Sequence, residues 1–185
     1  MFPSSMPCPH PPARWYSLLT LLLLAAAAAC SPKKDPEEKP GRPSPPAVVT
    51  GGAGRATFTI HYSQPSAKER KIFGGLVPYG QVWRTGANEA TTFSVNQDVT
   101  VQGQPLPAGK YALFTIPNQK EWTIIFNRNP NQWGAYEYQP ADDVLRVKAT
   151  PAATPHTLEQ FRITADKGGQ VTLGWEDTQV SFQVK

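Results

Sequence analysis

Between Lys71 and Phe93 the chain gathers the groups best suited to hold a ligand: Arg84, Asn88 and Glu89, beside Trp83 and among four Gly and a Pro. Arg84 can pair with an anion, Asn88 can donate and accept, and Glu89 can accept hydrogen bonds or act as a general acid or base. Two further aromatics, Trp133 and Tyr136, lie in a later loop and could stack on a sugar face. These six residues form the candidate binding set. Each also has a structural alternative: Trp83 as a core side chain, Arg84 and Glu89 as an ion pair under a turn, and the later loop as a flap over the core.

The same residues fall short of a catalytic constellation. A glycosidase needs two carboxylates roughly 5 to 10 Å apart, and Asp98, Glu121, Glu137, Asp142 and Asp143 all lie on other segments than Glu89. His61 or His156 could serve a Ser-based triad, but no Gly-x-Ser-x-Gly elbow is present to carry the nucleophile. No catalytic residue is therefore assigned. His61 and His156 are the only His after the N-terminal 30 residues, and no Asp-rich calcium loop occurs, so neither a metal site nor a cofactor is expected.

These residues must be positioned by short extended elements. From Ala56 the apolar residues alternate with polar ones, Ala56, Phe58, Ile60 and Tyr62 against Thr57, Thr59, His61 and Ser63, the period of a half-buried strand. Gln81–Thr85 and Ala90–Val95 also read as extended, with Gly86-Ala87-Asn88-Glu89 turning the chain between them. Asp98–Gln102 alternates, and Gly103–Gly109 reads as a connection. Lys110–Ile116 and Trp122–Phe126 are apolar on successive residues, which predicts a hairpin in the centre of a sheet. Asn127–Asp143 is a long loop. Val144–Ala149 is a strand, Pro151–Gln160 a connection and Phe161–Ala165 extended, before a final hairpin of Gln170–Glu176 and Thr178–Val184 across Asp177.

About nine short strands, turn residues between them and no long stretch of helical period predict an all-β domain. We expect a single antiparallel β-sandwich, jelly-roll or immunoglobulin-like, over residues 56–185. The lack of strand-helix alternation excludes dinucleotide-binding and barrel-type α/β enzymes.

The N-terminal part supplies an address. Trp15–Ala29 is an apolar run of 15 residues after Arg14, too short to span a bilayer and suited to a secretory signal. Ala27, Ala28 and Ala29 before Cys30 resemble a bacterial lipobox, which implies a signal peptide over residues 1–29, lipidation (palmitate among the acyl groups) on Cys30 and a lipoprotein anchored in the membrane of the cell envelope. Residues 30–55, rich in Pro and Gly, are expected to be a disordered tether reaching up to roughly 75 Å. With Cys8 removed and Cys30 acylated, the domain has no thiol for a disulfide or a zinc site.

The chain has 185 residues and a net charge of +4, with 18 basic against 14 acidic side chains in runs no longer than two basic residues. Diffuse charge of this kind argues against nucleic acid as a partner. Mean hydropathy of -0.40 argues against several membrane spans.

Five motifs in order, Tyr62-Ser-Gln-Pro-Ser66, Lys71-Ile-Phe-Gly-Gly-Leu-Val-Pro-Tyr-Gly80, Val82-Trp-Arg-Thr-Gly-Ala-Asn-Glu-Ala-Thr91, Leu106-Pro-Ala-Gly-Lys-Tyr111 and Trp133-Gly-Ala-Tyr136, resemble the bacterial exported family catalogued as domain of unknown function 2911. The resemblance covers Ala56 to Val184. It implies export and a single domain, and it supplies no activity and no catalytic residue. Family members carry a basic residue after the Tyr-Ser pair, where this chain has Gln64.

The functional expectation is a binding or interaction module for a glycan or peptide. A hydrolase using Glu89, or a structural envelope protein with an exposed edge at Thr178–Lys185, are the alternatives.

Overall fold

The computed structural model describes residues 42–185; the expected signal peptide, Cys30 and the first part of the expected tether lie outside the described residues. Ten strands follow in order: β1 (Pro46–Ala53), β2 (Ala56–Ser63), β3 (Thr92–Val95), β4 (Val99–Val101), β5 (Gln104–Leu106), β6 (Gly109–Ile116), β7 (Trp122–Asn127), β8 (Asp143–Ala149), β9 (Pro151–Ala165) and β10 (Gln170–Gln183). A 3-10 turn at Pro140–Asp142 precedes β8.

Six strands form one antiparallel sheet in the order β1-β2-β3-β6-β7-β8, while β9 pairs with β10 and β4 with β5. Within this sheet the order is a meander interrupted once, where the β4–β5 hairpin is skipped, and it lacks the crossed order of a Greek key. Its inner face packs on the β9–β10 ribbon: Tyr62 lies edge-on to Phe161, and Phe126 edge-on to Phe182. The alternation in β2 explains this directly, since Phe58 and Ile60 are buried and Thr57 and His61 exposed. The fold is an all-β, sandwich-like domain.

The expected central hairpin is present, with β6 and β7 paired from Ala112 and Asn127 to Ile116 and Thr123. Both of its faces are apolar because both are covered. Phe93, Leu113 and Phe126 belong to the main core, whereas Phe114, Ile125, Ala112 and Ala90 form a second cluster against Tyr138, Ala135 and Val82. The 128–142 loop thus lies over the outer face of the sheet, where it covers this second cluster rather than the main core.

Five boundaries differ from expectation. The tether does not extend to Arg55, because Pro46–Ala53 pairs along its whole length with β2. Gly51 is there for close approach: a Cβ would come 2.3 Å from Phe58 Cζ, so a Gly-rich stretch is here an edge strand packed on an aromatic ring. Gln104–Leu106, expected as connection, pairs with β4. Pro151–Gln160 is also strand; it is mostly exposed on both faces, which erases the apolar alternation while the backbone pairing with β10 remains. The hairpin across Asp177 is a single strand with register shifts on both sides of Glu176, whose φ of 53° bends the strand without reversing it. Gln81–Thr85 contributes only a bridge between Trp83 and Thr115, extending the edge of β6 beyond the end of β3.

Candidate functional site

The turn from Arg84 to Ala90 borders two separate hollows. It is held from within: Trp83 Nε1 donates to the Gly86 carbonyl at 3.1 Å, and Thr91 Oγ1 donates to the Thr85 carbonyl at 2.6 Å. Gly86 has φ +154°, and a Cβ there would meet the Ser63 carbonyl oxygen at 2.9 Å, so the turn requires glycine. Asn88, at φ 59°, donates from Nδ2 to the Ser44 carbonyl and to Ser63 Oγ, both at 3.3 Å. Its side chain ties the turn to β2 and the segment before β1.

The first hollow, about 450 Å³, has Trp83 and Trp175 among its lining, with Lys68, Arg70 and Arg84. Trp83 is only 8% exposed and lies in an aromatic cluster, stacked on Trp175 at 5.9 Å and edge-on to Phe73 and Phe161. It is therefore a core side chain whose edge forms part of the lining. Arg84 Nε is buried without a hydrogen-bond partner among the described residues.

The second hollow, about 380 Å³, is lined by Glu89, Ala90, Thr92, Lys110, Pro130, Asn131, Gln132 and Trp133. The backbone brings Glu89 and Trp133 together: they form a bridge, Ala90 N–H donates to the Gln132 carbonyl at 3.0 Å, and Gly134 N–H donates to the Asn88 carbonyl at 3.1 Å. Trp133 is 54% exposed. Arg42 donates to both carboxylate oxygens of Glu89, each at 2.9 Å. The pairing raises the Arg42 pKa above its ordinary value, first through the hydrogen bonds and then through the charge of Glu89. His61 faces Thr92 in the register, and its pKa is lowered by partial burial and then by the charge of Lys110. The imidazole is thus disfavoured as a cation beside this hollow.

The 128–142 loop is fixed by polar contacts at its base. Asn127, fully buried, donates from Nδ2 to the Gln139 carbonyl and to Asp143 Oδ1, while its Oδ1 accepts from Asn129 N–H and Gln132 Nε2. Tyr138 donates to Asp143 Oδ2 at 2.6 Å, and Arg146 donates to both Tyr138 and Asp143. Burial and then the Asp143 carboxylate push the Tyr138 hydroxyl up to about 12. Gln132 is 5% exposed, and its Oε1 has no hydrogen-bond partner among the described residues.

The six candidates thus divide. Glu89 and Trp133 share one hollow, Trp83 and Arg84 another, and Asn88 braces the turn between them. Tyr136, 85% exposed, lines neither. Lys110, Asn131 and Gln132 escaped the sequence, although Asn131-Gln132 directly precede Trp133. Lys68 and Arg70 sit in the charged run Lys68-Glu-Arg-Lys71, which a solvated loop also explains. Gln64 contacts Tyr62 and the Phe161 carbonyl and lines neither hollow.

Fold and site define an antiparallel, sandwich-like β domain that carries two hollows on one rigid turn. Residues 44–184 match the family described as Protein of unknown function (DUF2911), and the chain belongs to that family. No curated protein and no solved structure matches the chain.

Proposed function

We propose that this protein is an exported lipoprotein, anchored through Cys30 to the cell envelope, whose domain binds a glycan in the hollow between Glu89 and Trp133. The observation that carries the glycan reading is a half-exposed indole at the edge of a hollow that also holds Glu89, Lys110, Asn131 and Gln132. An aromatic face takes the apolar side of a sugar ring, and a few convergent polar groups fix its hydroxyls. Gln132 Oε1 is an acceptor that a sugar hydroxyl would satisfy, removing the cost of a buried orphan group.

Hydrolysis finds less support. Asp98, Glu121, Glu137, Asp142 and Asp143 are all absent from this lining, so Glu89 has no second carboxylate there among the described residues. The assembly reading relied on an open terminal edge, yet Val184 bridges Val101, and Thr100 and Lys185 exchange backbone hydrogen bonds. That edge is paired.

A glycan array probed with the full chain, with a peptide array in parallel, tests the binding reading. Trp133→Ala should weaken any glycan bound by about tenfold or more, the scale of lost stacking plus burial. Binding confined to peptides, or indifferent to Trp133→Ala, would overturn it. Labelling cells with an alkyne fatty acid tests the anchor: Cys30→Ser should abolish both the label and recovery in the membrane fraction.

A further inference from the structure

The Trp83 hollow differs from the glycan hollow in its charge. Lys68, Arg70 and Arg84 line it, and among the described residues no carboxylate does. Two acids bond to backbone in the flanking segment without lining the hollow: Glu159 Oε1 accepts from Lys68 N–H, and Glu176 Oε2 accepts from Ile72 N–H. Arg70 commits Nε and Nη2 to the carbonyls of Ala67 and Ser66, which fixes its guanidinium. Arg84 has no such engagement at Nε, although that atom is buried. A buried N–H of a charged group without an acceptor is costly. An anion entering the hollow would meet all three cations, and a small turn of the Arg84 side chain toward it would give the buried Nε–H its missing acceptor.

The shape narrows the ligand. Trp83, Trp175 and Leu76 give the hollow an apolar lining, and its volume of about 450 Å³ is that of a small-molecule site. The Nε and Nη edge of a guanidinium matches the two oxygens of a carboxylate. We propose that this hollow is a second ligand site, for a small organic carboxylate with an apolar or aromatic body, in which Arg84 pairs with the carboxylate and the indoles receive the body. This site stands whether or not the Glu89 hollow takes a glycan.

Calorimetric titration of the full chain at low ionic strength tests it with three probes: benzoate, phenyl phosphate and the uncharged benzamide. Benzoate should bind and benzamide should not. Arg84→Gln should weaken benzoate by about tenfold to a hundredfold, the loss expected for one charge-assisted pair. Circular dichroism shows whether that variant folds. If it does not, Lys68→Gln supplies the second readout, since the bond from Lys68 to Glu159 comes from its backbone N–H and survives the substitution: benzoate should weaken by a few fold and its salt dependence should flatten. Equal binding of benzoate and benzamide, no binding at millimolar concentration, or a benzoate affinity and salt dependence unchanged in a folded variant would each overturn the site. Tighter binding of phenyl phosphate than benzoate would replace the carboxylate by a phosphate ester and so overturn the assignment of ligand class. Trp133→Ala should leave benzoate binding intact, which separates failure here from failure of the glycan reading.

Discussion

Two tryptophans border the same turn and have opposite fates. Trp83 is stacked into an aromatic cluster with Trp175, Phe73 and Phe161, whereas Trp133 stands half-exposed within the 128–142 loop. Their hollows differ accordingly. One has core indoles in its lining, and all its charged lining residues are cations; the other carries an open ring with Glu89 and Lys110 of opposite sign. An aromatic beside polar groups therefore has two distinct uses in this domain: one indole supports the turn, and the other is free to touch a ligand. The distinction lies in burial, and burial here depends on what β9 and β10 bring from more than seventy residues away.

The sharpest way to break this comparison is to truncate both rings. Trp83→Ala should destabilise the domain by ~3–5 kcal/mol, because it opens a cavity among four packed aromatics. Trp133→Ala should change stability by no more than about 0.5 kcal/mol, as exposed positions do, while weakening glycan binding by about tenfold or more. Urea unfolding of both variants decides the matter. Similar losses for the two would mean that Trp133 is also a structural residue.

A second cut separates the loop from the turn. Asn127→Ala removes a fully buried amide that bonds to Gln139, Asp143, Asn129 and Gln132. The expected cost is ~1–3 kcal/mol for the partners left unsatisfied. Because Gln132 Nε2 donates to Asn127 and to the Asn129 carbonyl, the substitution should also weaken ligand binding at the Trp133 hollow. Benzoate binding beside Arg84 should be unchanged. A parallel loss at both hollows would show that they are coupled through the turn rather than independent.

How much of this was legible in the sequence follows from what each segment buries. β2 could be read residue by residue because its two faces meet core and solvent, and β6 and β7 because continuous apolar residues need cover on both sides. β1 was hidden by Gly51 and Gly52, whose value lies in the room they leave for Phe58 and Lys167. β9 was hidden because a ribbon strand exposed on both faces over Pro151–Gln160 has no period to detect. For the site, the turn and its residues were visible, and Glu89 and Trp133 did come together through a backbone bridge. That they would separate from Trp83 and Arg84 was not, since one hollow draws on Lys110 and the other on Trp175, each on a strand far along the chain from the turn.

The smallest expected effect concerns the clasp at the base of the loop, and it sharpens the comparison by asking how firmly the exposed tryptophan is held. The Tyr138 hydroxyl titrates near 10 in an unfolded chain and is pushed up to about 12 in the folded one by burial and by Asp143. Between these values the unfolded state has released the proton and the native state has kept it, so stability falls as pH rises through this window and is intact below it. The partial exposure of the group keeps the effect modest. Thermal unfolding followed from pH 9 to pH 12 should show this decline, and Tyr138→Phe should reduce the slope, because Phe binds no proton in either state. In the same variant Asp143 keeps Arg146 and Asn127, so the loop should stay in place at neutral pH and Trp133 should retain its ligand. An unchanged slope would mean that Tyr138 ionises as freely in the native protein as in the unfolded chain, and that its hydroxyl adds nothing to the hold that Asn127, the bridge to Glu89 and the contact with Phe114 give the loop.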